Sequence, residues 1–127
     1  MNTPPTHFIS DGTTHSPTEV TTLHAVDVWA VHAQEYKSYR SVASDKSLKS
    51  TFTHVVTHTP TGMRAAEVEH LTSAIAVADA LAKNFPGFGK DAAWAKEPAE
   101  MKAKPTLGAD MRAVIQLAWI DDMEKRI

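Results

Sequence analysis

Residues 51–85, TFTHVVTHTPTGMRAAEVEHLTSAIAVADALAKNF, carry the reading on which the rest of the chain depends. Residues 51–58 are almost wholly Thr, Val, Phe and His, whose branched or flat side chains suit a pleated, half-buried strand. Pro60 and Gly62 then punctuate the chain, and helical periodicity predicts one long helix over 63–84, closed by Phe85-Pro86-Gly87. At 100° per residue, Val68, Leu71, Ala74, Ile75, Ala78, Leu81, Ala82 and Phe85 share one arc, with Glu69, His70, Thr72, Ser73, Asp79 and Lys83 opposite. Ala74, Ala78 and Ala82 recur at every fourth position, so a second helix is expected to approach this face closely.

Working outward, Ser16-Pro17-Thr18-Glu19 has the form of a capping box: a serine cap, a proline pre-set for the first turn, and a glutamate three residues after the cap. It predicts a helix from Ser16 to about Tyr39 or Val42, with Ala25, Val28, Trp29, His32, Ala33, Tyr36 and Tyr39 along one side. Residues 26–31, VDVWAV, also read as a strand. The serine- and lysine-rich stretch 38–50 reads as a connection, and 85–107 as irregular apart from a short helix near 91–96. A final helix is expected over 109–126. Met111, Val114, Ile115 and Ala118 make its main apolar face, while Leu117, Ile120 and Met123 lie off it. The expected fold is therefore mainly α, with α+β allowed: three long helices, one short strand or hairpin, and an extended N-terminal arm. The arm spans 1–15, with Phe8-Ile9 its only apolar anchor, and a single α-rich domain spans 16–127.

A chain of 127 residues with a formal net charge of −2 is sized for one domain and offers no broad basic face for nucleic acid. It has no cysteine, which excludes disulfides, thiolate metal sites and cysteine nucleophiles. Its first residues do not look like a signal peptide, and no apolar run approaches the roughly 18 residues of a membrane span. A soluble, cytoplasmic protein is expected.

Among chemical motifs, GxSxG, GxxxxGK[ST], GxGxxG and HExxH are all absent, so no catalytic residue and no cofactor is assigned. If a metal were bound, His54 and His58, at i and i+4 on one face of a strand, would be its ligands. His24, His32 and Asp27 or Glu35 could complete the shell, although polar, partly buried histidines are the plainer reading. The loop Phe85-Pro86-Gly87-Phe88-Gly89-Lys90 combines stacking rings, approachable backbone N–H groups and a cation. Phe85, Phe88 and Lys90 are thus candidate contacts to a small anionic ligand, against the alternative that the rings plug the core. Arg64 and Arg112 sit on otherwise apolar arcs and should point at a rim, a partner or a ligand. The Trp29, Tyr36 and Tyr39 stripe and Trp119 read as packing. Leu117, Ile120 and Met123 are candidate contacts to a second copy of the chain.

From His54 to Glu124 the order of features resembles the helical hairpin of phage nucleotide sponges, small oligomeric proteins that sequester the cyclic nucleotide signals of bacterial defence. The resemblance rests on His58-Thr59-Pro60, the alanine-rich helix, Pro86 at its end, and Trp119 amid small and apolar residues. The short polar turn with arginine and glutamate that joins the hairpin in that family has no counterpart here. The resemblance implies an oligomer that acts by occupancy against a host defence factor, with Arg64, Phe85, Phe88 and Arg112 as ligand contacts. The function expected is that of a small non-catalytic binding or regulatory protein working as a homo-oligomer. Its partner would be a protein or a small anionic ligand. The alternatives are a small histidine- or metal-dependent enzyme, or a structural component of a larger assembly.

Overall fold

The computed structural model describes residues 3–10, 17–37 and 50–126. Among them the chain forms β1 (Thr6–Ile9), β2 (Thr18–Thr21), β3 (His24–Val26), β4 (Trp29–Lys37), β5 (Ser50–His58), β6 (Met63–Val68), α1 (Leu71–Asn84), α2 (Ala99–Ala103) and α3 (Leu107–Glu124). The mainly α expectation is overturned: six strands in two antiparallel sheets stand beside three helices, two of them long. β1 and β2 make a two-stranded ribbon, and β3-β4-β5-β6 make a four-stranded meander.

The helix expected from Ser16 is instead β2, β3 and β4. Thr18, Val20, Thr21, Val26, Val28 and Val31 are all branched at Cβ and lose rotamer freedom against a preceding helical turn, whereas a pleated strand accommodates them. A two-residue turn at Asp27-Val28 sets Val26 opposite Trp29, with Asp27 in the left-handed region at φ 54°. The Asp27 carboxylate leaves that turn to accept the Gly87 N–H at 2.6 Å, tying the hairpin to the loop after α1.

The long central helix is overturned at its start, because Met63–Val68 is strand β6 and α1 begins only at Leu71. Pro60 and Gly62 close a hairpin rather than open a helix. Gly62 lies at φ 72°, donates its N–H to the His58 carbonyl at 2.7 Å, and faces the Trp94 ring. A Cβ there would sit 2.2 Å from the indole, so the turn requires glycine twice over. The final helix forms, as Leu107–Glu124.

The pairing register separates the two faces of the sheet. Trp29 lies opposite His58, Val31 opposite Val56, and Val56 opposite Ala66, and these face α1. α1 buries Ser73, Ala74, Val77, Ala78 and Leu81 against them, and α3 packs on α1 with Leu107 and Met111 buried. The N-terminal end of α1 is held by Asp122 of α3, whose carboxylate accepts from Ser73 Oγ at 2.7 Å, Thr72 Oγ1 at 3.1 Å and Arg126 Nε at 3.2 Å. The bond from Ser73, first among these, keeps the Asp122 carboxyl below its ordinary pKa, and a negative charge is well placed at a helix N-terminus. The β1–β2 ribbon lies on the other face of the sheet, where His7 meets His32.

Candidate functional site

β6 is the edge of the four-stranded sheet, and α3 runs beside it at a distance that leaves a groove of about 800 Å³. One wall is the end of β6 and the link to α1, from Ala65 to His70; the other is α3, with Arg112, Ile115, Gln116, Trp119 and Met123. The helical spacing of 112, 115, 119 and 123 is what aligns those four side chains along one wall. Trp119 is 39% exposed although it stands among apolar neighbours. An edge strand presents backbone donors and acceptors with no partner strand, so this groove combines an open hydrogen-bonding edge with an apolar wall. Its polar groups are Thr53, Glu67, Glu69 and His70 on the strand side and Arg112 and Gln116 on the helix side.

Behind the groove, on the outer face of the sheet, Arg64 Nη1 donates to Glu67 Oε2 at 2.6 Å and Arg64 Nη2 donates to Gln34 Oε1 at 3.1 Å. Thr53 Oγ1 donates to Glu67 Oε1 at 3.2 Å. This network links β4, β5 and β6 and holds the Glu67 carboxylate in place.

A smaller cavity of about 320 Å³ lies around the β5–β6 turn, bordered by Met63, Arg64, Glu97, Met101 and Met111, with Trp29, His58 and Phe88 at its back. Trp29 stacks parallel to Phe88 with ring centroids 6.1 Å apart, and His58 is tilted against both. His58 Nε2 donates to the Phe88 carbonyl at 2.6 Å, which leaves Nδ1 to accept from Thr61 Oγ1 at 2.8 Å. Burial lowers the His58 pKa, opposed by the bond to Phe88 and by nearby Glu100. The ring is therefore a neutral strut joining β5 to the loop after α1, with neither nitrogen free for a metal.

The other candidate residues fall in separate places. Phe88 is buried in the core, and Phe85, at the end of α1, is half-buried against it. Lys90 is exposed on the loop, and its N–H donates to the Gly87 carbonyl at 3.2 Å. His54 Nδ1 donates to the Glu69 carbonyl at 3.2 Å, while His24 Nε2 pairs with Asp79 Oδ1 at 2.8 Å between β3 and α1. His32 lies on the opposite face of the sheet, so the four histidines do not converge. No group of three or more candidate ligands that could hold a metal occurs among the described residues. Arg112 lies in the groove, Arg64 is in the network behind it, and Met123 is in its wall. Leu117 and Ile120 face away from the core, 68% and 37% exposed. Tyr39 and Val42 lie outside the described residues.

The strand side of the groove has no counterpart among the residues expected to bind a ligand, and Trp119, expected to pack, lines the groove instead. The signal available was the turn Thr59-Pro60-Thr61-Gly62 between two short runs, a pattern that favours a hairpin over a helix start. No protein family, curated protein or solved structure matches this chain. No helix among the described residues is long and apolar enough to cross a membrane.

Proposed function

We propose that this protein is a small, non-catalytic binding protein of the cytoplasm that acts by occupancy, taking an extended segment of a partner protein along β6. The observation that carries the reading is the open sheet edge of β6 lying against the apolar wall of α3. A peptide added antiparallel or parallel to β6 would gain backbone hydrogen bonds, and its alternate side chains would face opposite sides. Those on the helix side meet Ile115, Trp119 and Met123, so they should be apolar. Those on the other side meet Glu69 beside the Arg64–Glu67 pair, so they should be basic.

The test is selection of displayed random heptapeptides, followed by titration of the best binder. Alternating apolar and basic residues should be enriched, and Trp119→Ala should weaken binding roughly thirtyfold while the fold persists. No binder, or binders indifferent to Trp119→Ala, would overturn the reading.

Homo-oligomerisation belongs to the same proposal. Leu117 and Ile120 form an exposed apolar stripe on α3 that does not line the groove. In a two-fold contact between antiparallel α3 helices, Leu117 of one copy meets Ile120 of the other, which makes the patch complementary to itself. Light scattering should show a discrete oligomer, converted to a folded monomer by Leu117→Lys with Ile120→Lys. An unchanged mass would remove this part of the proposal.

A further inference from the structure

We infer that the β1–β2 ribbon is an acid-released strap, fastened over the outer face of the sheet by the contact between His7 and His32. Along the described residues of the two ribbon strands, His7 is the one buried side chain; Phe8, the apolar anchor expected from the sequence, is 49% exposed. The His7 ring stands edge-on to the His32 ring with centroids 5.5 Å apart. His7 Nδ1 is hydrogen-bonded to Thr22 Oγ1 at 2.6 Å, but His7 Nε2 and both ring nitrogens of His32 are buried without a partner.

Two neutral imidazoles tolerate that arrangement at the loss of a few hydrogen bonds. Two imidazolium ions do not, since each would be a buried charge with unpaired donors beside a like charge. The surroundings offer no relief. His32 feels His7 from β1, Arg64 from β6 and His54 from β5, all cations or potential cations, while Thr22 of the ribbon is neutral. Glu67, the carboxylate on this face of β6, is held by Arg64. Burial, then His7, Arg64 and His54, lower the His32 pKa to about 4, and burial lowers that of His7.

A folded-state pKa below the ordinary 6.5 means that the strapped form binds fewer protons than the released form. The strap is therefore fastened above pH 6.5 and loosens as the pH falls from 6.5 towards 4. Elsewhere the ribbon is attached by backbone bonds near its two ends, from Ser10 N–H to the Gly62 carbonyl and from Leu23 N–H to the Val31 carbonyl, both at 2.8 Å. Release would open the outer face around His32, on which Ala30, Val55 and Thr57 also lie buried.

Amide hydrogen exchange, corrected for the intrinsic pH dependence of the chemistry, tests this on the full chain at pH 7.4, 5.5 and 4.5. Protection in residues 6–9 and 18–21 should fall by at least about tenfold on acidification while β5 keeps its protection. In His32→Leu the ribbon should stay protected at pH 4.5. If that variant does not fold, His7→Phe, which changes only the ribbon's side of the contact, should give the same result. Ribbon protection that persists at pH 4.5, or a loss that the neutral variants share in full, would overturn the inference.

Discussion

The inner face of the four-stranded sheet meets α1 through Trp29, Val31 and Val56, while the outer face, one residue out of phase along the same strands, carries Ala30, His32, Gln34, Thr53, Thr57, Arg64 and Glu67. The first face is filled mostly by hydrocarbon, apart from the His58 ring, which is hydrogen-bonded through both nitrogens, and it is closed by α1 with α3 packed on that helix. The second is covered over part of its length by a two-stranded ribbon and otherwise holds a polar network. Apolar burial is indifferent to pH, whereas a contact between two buried histidines is not. One sheet thus has a face that carries stability and a face whose covering can respond to conditions.

The comparison can be broken most severely from the inside. Trp29→Ala removes the ring stacked on Phe88 at the centre of the core, and should cost about 3–5 kcal/mol in denaturant titration. A loss under about 1 kcal/mol would show that the inner face does not dominate. Next comes the acid response of the outer face. With the His32 pKa lowered to about 4, up to about 3 kcal/mol of stability present above pH 6.5 should be lost by pH 4. The unfolding midpoint of His32→Leu should fall less over that interval. Gly62→Ala places a methyl group against Trp94 at a positive φ and should cost about 1–3 kcal/mol, read by thermal unfolding at pH 7.4. Smallest is Arg64→Ala, which opens a half-exposed ion pair with Glu67 and should change stability by less than about 1 kcal/mol. A larger effect would mean that the outer network supports the sheet as much as the core does.

What the sequence disclosed followed from local chemistry. The Thr and Val run at 51–58 is strand β5, the alanine-rich segment is α1 from Leu71 onward, and the last apolar stretch is α3. What misled was also local. Ser16-Pro17-Thr18-Glu19 has every feature of a helix start, yet Thr18 begins a strand, because the β-branched residues that follow find partners only through pairing with β1 and β4. Met63–Val68 fits helical and strand periods alike over so short a span, and pairing with β5 decided it. Arg112 in the groove was legible, since an arginine on an apolar arc must reach a rim. The exposed Trp119 was not, because a tryptophan among apolar residues reads as core until the neighbouring strand turns out to be an edge. The burial of His7 and His32 depends on a ribbon crossing the sheet, which no spacing in the sequence encodes.

The most direct test of strand addition at β6 is residue-resolved amide exchange with and without the selected heptapeptide. The account expects exchange of amides within Met63–Val68 to slow by roughly tenfold or more, with the opposite edge at His24–Val26 unchanged. Unaltered exchange at β6 with protection confined to Leu117 and Ile120, or a change spread evenly over both edges, would contradict it.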